Sequence, residues 1–293
     1  VTRVALATCA ALPELDDDER RSLPPLRALG IDAEPAIWDD PGVDWPAFDL
    51  VVVRNTWDYT DRLTDFLAWA RSVPRLANPA PVLAWNTDKR YLADLAGDGL
   101  PIVPTRFAAP GETFTAPGFD ETAEIVVKPT VSAGSRGAGR FGSGERDAAI
   151  AHMERLHAAG ATAMIQPYLT AVDDEGETAL LYLGGAYSHA IRKAALLRPG
   201  ASPSDAPYLA EDIAAREPSP AQRALADQVV ATVTERFGPL LYARVDLLPG
   251  PDGDPLIVEV ELTEPSLFLA HDDGAPDRLA AAIAAAARPG TAA

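Results

Sequence analysis

An α/β fold that opens on a parallel sheet is what this sequence predicts, on three observations. Short aliphatic strands alternate with helical stretches through the first half, Val4 to Ala7 and Leu50 to Arg54 being the clearest strands; such alternation implies crossover connections and strands buried on both faces. Hairpin signals gather in the second half, about Gly184-Gly185 and ahead of Ile257-Val258-Glu259-Val260-Glu261, so antiparallel strands belong there. Hydrophobic residues make up 47% of the 293, enough to fill a core spread over about two ordinary domains.

In order along the chain, Val4 to Ala7 is followed by a loop and a helix through Arg20 to Leu29 that Gly30 ends. After the strand Leu50 to Arg54, a second helical stretch begins over Asp65 to Arg71. Loops at strand C-terminal ends are where such sheets bind ligands. Arg54, Asn55, Trp57, Asp58 and Tyr59 occupy one, and the cluster reads equally as a substrate site and as a turn around a packed Trp. Asn86 to Leu95 reads as a helix capped by Asn86 or Thr87 and closed by Gly99-Leu100-Pro101.

Pro104 and Pro110 then lead into a new unit. Its strand Ile125 to Pro129 runs into a glycine-rich loop and a helix from Arg146 to Ala158. Met164 to Leu169 carries Pro167, which predicts an edge strand or a bent connection. Thr178 to Leu183 and Tyr187 to Ala194 form a hairpin, and Arg198 to Pro220, rich in Pro, Ser, Asp and Ala, reads as a surface loop. A helix over Gln222 to Phe237, the acidic hairpin and an Ala-rich helix over Arg278 to Ala287 complete the chain.

Composition excludes several functions. A net charge of −18 argues against a nucleic-acid partner, which needs a basic face, yet allows a nucleotide held by local Lys and Arg. Apolar runs too short to span a bilayer, a Val1 start without a signal-peptide profile, and Cys9 as the lone cysteine together predict a cytoplasmic chain with no membrane association. His152, His157, His189 and His271 show no metal-ligand spacing.

Two local patterns carry chemistry. In Ile257 to Glu261, successive side chains alternate between faces, so Glu259 and Glu261 share one face, and Asp246 on the preceding Val245-Asp246-Leu247-Leu248 run sits opposite them in a hairpin. Clustered carboxylates repel one another unless a cation joins them, and oxygen-only ligands suit Mg²⁺; a solvated strand with ordinary alternation is the plainer reading of the pair alone. The second pattern is Lys128, a cation ending a buried aliphatic strand, followed by Val131-Ser132-Ala133-Gly134-Ser135-Arg136-Gly137-Ala138-Gly139-Arg140. Small residues there let backbone N–H groups approach a phosphate, and Arg136 adds charge-assisted bonds. Gly137, Gly139 and Gly142 satisfy G-x-G-x-x-G without the strand-to-helix context of a dinucleotide site, Ala133 to Gly137 only loosely matches a nucleophile elbow, and no Walker A pattern is present.

Taken in order, Lys89, Lys128, the glycine loop, Gln166-Pro167-Tyr168-Leu169, Asp246, Glu259 and Glu261 resemble the ATP-grasp ligases. The resemblance runs from about Asn86 to Phe268 and is closest to the glutathione synthetase and ribosomal-protein glutamate ligase branch; the compact length and the Val-Glu-Val-Glu-Leu-Thr-Glu-Pro ending also look like the D-cycloserine synthetase type, which closes a ring within one molecule. It implies an N-terminal parallel-sheet domain (1-85), a linker helix and lid (86-165) and a mixed-sheet catalytic unit (166-293).

By the same resemblance, Lys89 and Lys128 reach nucleotide phosphates under a lid containing Ser135, Arg136 and Gly137. Gln166, Tyr168 and Leu169 belong to the adenine hinge, and Glu177, with Glu175 as rival, lies near the ribose. Asp246 and Glu259 bind Mg²⁺, with Mn²⁺ able to substitute. Glu261, where glutathione synthetases carry Asn, binds metal, orients Arg244, or does both. Arg192, Lys193 and Arg244 stand beside the transferred phosphoryl group.

The implied reaction is ATP-dependent activation of a small-molecule carboxylate as an acyl phosphate, captured by an amine to form an amide or peptide, or by a tethered amine in a cyclisation; a homodimer is compatible with it. A nucleotide-binding regulator with a dead site and a metal-only hydrolase are the rivals. Intact Lys89, Lys128, Asp246 and Glu259 argue against the first, and the glycine lid against the second.

Overall fold

The computed structural model describes residues 1–112, 124–197 and 212–288. Its first layer is a parallel sheet of β1 (Thr2–Thr8), β2 (Ile31–Ile37), β3 (Leu50–Val53) and β4 (Leu76–Ala77), ordered β2-β1-β3-β4. The helix α1 (Leu23–Ala28) connects β1 to β2 after a 3-10 turn at Glu19–Ser22, and α2 (Leu63–Ser72) connects β3 to β4. All four residues of β3 are buried, as a continuous aliphatic run requires. Gly30 follows α1 with φ +75°, in the left-handed region where a helix stop favours glycine.

Next come α3 (Ala80–Asn86) and α4 (Tyr91–Gly97). Asn86 therefore ends a helix, where the sequence predicted that it starts one. Its side chain is used elsewhere: the amide donates to Val260 O (2.7 Å) and accepts from Leu262 N (2.7 Å).

A small antiparallel sheet follows, made of β5 (Arg106–Ala108), β6 (Ile125–Pro129), β7 (Gly139–Phe141) and β8 (Ala163–Pro167), with α5 (Arg146–Ala158) packed against it. It has its own apolar core of Val127, Phe141, Ala149, Met153, Ala163 and Ile165. Its order, β5-β8-β6-β7, makes β8 an interior strand and corrects the expected edge position. Pro167 is tolerated because it is the last residue of β8, beyond Ile165, the last residue paired to β5.

After a short helix α6 (Val172–Glu175), a five-stranded sheet is built from β9 (Glu177–Leu183), β10 (Ala186–Lys193), β11 (Ile213–Ala215), β12 (Tyr242–Pro249) and β13 (Pro255–Glu261), ordered β11-β10-β9-β12-β13. Its ladders are antiparallel, and a parallel bridge between Ile102 and Ile257 at the β13 edge makes the sheet mixed. The helix α7 (Pro220–Phe237) starts on a capping box of Ser219 and Gln222 with Pro220 in its first turn. The last helix, α8 (Ala275–Ala287), buries Leu279, Ala280, Ile283, Ala284 and Ala287, one helical face, in a core shared with Leu26, Leu181, Leu183 and Ile191. Of the loop read over Arg198 to Pro220, residues 198–211 lie outside the described residues, and β11 occupies part of the remainder.

The first and third sheets share one continuous core that includes Ala5, Val51 and Val53 from one and Leu180, Tyr182, Val245 and Leu247 from the other. Buried polar side chains lock this junction. Asn78 donates to Tyr242 O and Leu262 O (both 2.9 Å) and accepts from Leu241 N (2.7 Å). Tyr91 bonds both Val260 N and Val260 O at 2.8 Å, so the outer edge of β13 has its backbone groups satisfied by side chains. Asn78→Ala would leave three buried backbone groups without partners, each worth roughly 1–3 kcal/mol. We expect a loss of about 3 kcal/mol or more, seen in urea titration as a lower midpoint with an unchanged slope.

Candidate active site

A cavity of about 420 Å³ opens between the small sheet and the five-stranded sheet. Strand register assembles its charged floor. Across β12 and β13, Asp246 faces Glu259 and Arg244 faces Glu261; across β9 and β10, Glu177 faces Lys193. Asp246 is the hub, buried to 1% exposure. Arg244 donates to both of its oxygens at 2.9 Å, and Lys193 Nζ donates to Oδ2 at 2.8 Å. Arg244 also pairs with Glu261 and donates to Ser266 O (3.2 Å), while Lys193 also pairs with Glu177.

The roof supplies the remaining cations. Lys89 Nζ lies 3.1 Å from Glu259 and donates to Ser132 O at 2.9 Å in the glycine loop. Lys128, at the end of β6, lines the cavity and forms no ion pair among the described residues.

These contacts set the protonation states. Burial pushes the Asp246 pKa upward, but Arg244 and Lys193 outweigh it and hold the carboxyl well below the usual range. Burial opposes ionisation of Glu259 too, and Lys89 and Lys128 overcome it, so Glu259 is also depressed. Lys128 is lowered by burial and by Lys89, with Glu259 opposing. Glu177 and Glu261 are each pushed up to about 7, mainly by burial, against the pull of Lys193 and Arg244 respectively. Glu264 is pushed up to about 8 by burial and the neighbouring Glu261 charge.

Of the residues singled out in the sequence, Lys89, Lys128, Ser135, Gln166, Tyr168, Leu169, Glu177, Lys193, Arg244, Asp246, Glu259 and Glu261 line this cavity. Three do not. Arg192 neighbours Lys193 on β10 and so projects to the other face, where it bonds Glu175 O (2.9 Å) and Asp174 O. Arg136 turns outward and bonds both oxygens of Asp61 at 2.9 Å, tying the glycine loop to the first layer. Gly137 has φ +74°, and a Cβ there would lie 3.2 Å from Pro129, so its glycine serves the turn and its packing.

Glu175 is exposed outside the cavity, whereas Glu177 sits beside Lys193 and Asp246, at the charged floor. In the Gln166 to Leu169 segment, Gln166 donates to Thr105 Oγ1 (2.8 Å) and the Tyr168 ring carries the Arg140 guanidinium 3.5 Å from its centroid. The Arg54 to Tyr59 loop divides its work. Arg54 is buried against Glu19, with a bond to Pro265 O (2.5 Å), Asn55 and Asp58 bond protein groups, and only Trp57 and Tyr59 reach the cavity. Sequence reasoning missed Glu264 and Phe268, both in the wall; the acid of the Leu-Thr-Glu-Pro ending was the one available signal.

Among the described residues, no group of three or more His, Cys, Asp and Glu converges as a metal cage. Mg²⁺ does not need one, since it takes one or two carboxylates and completes its shell with phosphate oxygens and water. Facing, ionised Asp246 and Glu259 fit that requirement.

Comparison with known proteins is consistent with this geometry. Residues 4–78 match the family model for the N-terminal domain of D-cycloserine synthetase DcsG. Over 298 aligned residues the chain is 39% identical to the cycloserine biosynthesis protein DcsG of Streptomyces lavendulae, covering 98% of this chain and 99% of that protein. This chain belongs to the D-cycloserine synthetase family. The crystal structure of D-cycloserine synthetase DcsG superposes on it with a TM-score of 0.87 at 37% identity, covering 98% of this chain and 100% of that one. The ATP-grasp ligase PsnB, solved with a minimal-precursor variant, Mg and ADP, shares the fold at 17% identity (TM-score 0.60, 98% and 99% covered). As a member of the D-cycloserine synthetase family with the ATP-grasp fold, the chain is an ATP-dependent ligase.

Glu264 gives the site a pH signature. A free glutamate titrates near about 4.3, and this one near 8. Its contribution to stability is therefore fully present below the unfolded pKa and is lost as pH rises through the folded one. Glu264→Gln cannot ionise. In urea titrations between about pH 5 and about pH 8, the variant should gain stability relative to the parent as pH rises; a constant difference would contradict the assignment.

Proposed function

We propose that this ligase uses ATP to activate the carboxylate of a small cytoplasmic substrate and closes it onto a nitrogen of the same molecule, as the name of the D-cycloserine synthetase relative suggests for that protein. The carrying observation is the meeting, in one cavity, of the hinge Gln166 to Leu169, the cations Lys89 and Lys128, and the facing acids Asp246 and Glu259. We assign Lys89, Lys128 and the Ser135 turn to the nucleotide phosphates, and Gln166, Tyr168 and Leu169 to adenine. Glu177 is assigned to the edge where ribose would meet the charged floor. Asp246 and Glu259 would hold Mg²⁺, which when bound offsets phosphate charge; Mn²⁺ would take the same oxygen donors. Residues 1-85, 86-165 and 166-293 would act as base, lid and catalytic unit.

The substrate carboxylate oxygen attacks the γ-phosphorus, the bond to the ADP oxygen breaks, and an acyl phosphate forms. The tethered nitrogen then attacks the acyl carbon, phosphate leaves with the electrons of the acyl C–O bond, and the nitrogen gives up a proton. Arg244, steered by Glu261 and Ser266 O, and Lys193 offer fixed positive charge to the oxygens that gain negative charge in both steps. Because their donors are already held, little reorganisation accompanies reaction. Closure of the glycine loop would keep water from the acyl phosphate.

Lys128→Ala and Glu259→Ala should each lower ATP turnover by at least about a hundredfold, measured as ADP release; activity like that of the parent in either would sink the assignment. Ring closure further requires that ADP release with the true substrate be independent of any added amine, with a product lighter than the substrate by the elements eliminated. An obligatory second amine would favour intermolecular ligation.

A further inference from the structure

Two stretches of chain that line the cavity belong to different sheets: Tyr168 and Leu169 follow β8 of the small sheet, and Ala194 to Leu197 follow β10 of the five-stranded sheet. Arg140, on β7, reaches both. Val126 pairs with Arg140 on one side and with Gln166 on the other, and directly opposed residues of antiparallel strands project to the same face. Val126 and Gln166 line the cavity, so Arg140 rises from the same roof. Its guanidinium lies 3.5 Å from the centroid of the Tyr168 ring and donates to Leu197 O at 3.2 Å, which carries it from one sheet's wall to the other's.

Two carboxylates fix the guanidinium there. Its Nε donates to Glu124 (2.5 Å) and its Nη1 to Asp173 (3.2 Å), and Arg140 is 6% exposed. The same two residues hold Tyr168, whose hydroxyl donates to Asp173 Oδ1 (2.5 Å) and whose backbone N–H donates to Glu124 O (2.8 Å). Arg140, Glu124, Tyr168 and Asp173 therefore form a closed ring of contacts. Because Glu124 and Asp173 meet its charge inside the protein, Arg140 is not a cation held in reserve for phosphate. Its work is geometric. A planar fork can stack on a ring and bond three separate groups at once, which a lysine ammonium cannot do.

We propose that Arg140 is a positioning residue for the nucleobase: by strapping Leu197 to Tyr168 it sets the width of the slot that receives adenine, and with it the preference for adenine over guanine. The proposal rests on the assignment of Gln166, Tyr168 and Leu169 to adenine. The Ala194 end of the opposite wall is tied separately, its N–H donating to Asp212 O (3.0 Å), so the strap governs the Leu197 end. A slot held at its working width before binding spares the ligand the cost of ordering the walls. Guanine, with a different hydrogen-bonding edge and a 2-amino group that needs room, gains less from a slot of fixed width. Lys89, Lys128 and the Ser135 turn do not depend on the strap.

The test titrates Mg·ADP, Mg·GDP and Mg·pyrophosphate calorimetrically into three forms of the whole chain: the parent, Arg140→Lys, which keeps the charge and loses the fork, and Asp173→Asn, an exposed change that leaves the buried guanidinium paired with Glu124. Arg140→Lys should bind ADP about tenfold more weakly with GDP and pyrophosphate within about threefold of the parent, so that the preference for ADP over GDP shrinks. Asp173→Asn should reduce the same preference by less. Unchanged pyrophosphate affinity shows that the variants are folded. A preference retained to within about threefold in Arg140→Lys overturns the proposal alone. If Arg140→Lys loses all three ligands together, Asp173→Asn decides, and an unchanged ADP-to-GDP ratio there overturns the proposal. A parent that binds ADP no better than GDP overturns the adenine assignment and the proposal with it.

Discussion

Everything in the cavity hangs on Asp246. A carboxylate at 1% exposure survives as an anion only because Arg244 and Lys193 hold both of its oxygens, and those two cations are themselves kept charged, against their burial, by Asp246 and its neighbours. Removing one member of such a set leaves the others buried and uncompensated, which is far more damaging than the net worth of the pairs. The network therefore fixes three strands at once: β12 through Arg244 and Asp246, β10 through Lys193, β13 through Glu261. A one-residue slip in any of them would turn its charge to the opposite face.

The first layer contributes rigidity from the other side. Arg54, buried against Glu19 and stacked 4.8 Å from the Tyr242 ring, reaches Pro265 O, and the single Tyr242 hydroxyl proton is shared between Val53 O (3.0 Å) and Thr263 O (2.9 Å). The stretch Thr263 to Phe268 is thus gripped by residues more than two hundred positions away, and that stretch presents Glu264, Ser266 and Phe268 to the cavity. Asp61, bonded to Arg136, links the same layer to the glycine loop. The first layer, the glycine loop and the wall of the cavity are coupled by a few charge-assisted bonds, which are stronger than neutral ones.

Local patterns were legible in the sequence where the chemistry is local. Alternation placed Glu259 and Glu261 on one face, a buried aliphatic run made Lys128 conspicuous, and Gly184-Gly185 announced the β9–β10 hairpin. Errors arose where distant partners decide. Arg136 looks like a phosphate ligand until Asp61, 75 residues away, takes it; Asn86 looks like a helix cap until the bare edge of β13 claims its amide; and β8 looks like an edge because the pairing of β5, before it in the chain, leaves no local trace. Arg192 and Lys193 could not both face one site on a strand, a constraint of period two. Glu264 was invisible for the opposite reason: it is conspicuous only once the partners of the other four acids are known.

On the proposed function, the acidic pair Asp246 and Glu259 holds a metal shared with nucleotide phosphate and does not merely balance the surrounding cations. Calorimetric titration of ADP into the parent protein with and without Mg²⁺ addresses it most directly. If the acids await a shared metal, free ADP meets repulsion at the β-phosphate, and Mg²⁺ should strengthen ADP binding by at least about tenfold, with ADP strengthening Mg²⁺ binding by the same factor. Equal ADP affinity with and without Mg²⁺ would contradict the account.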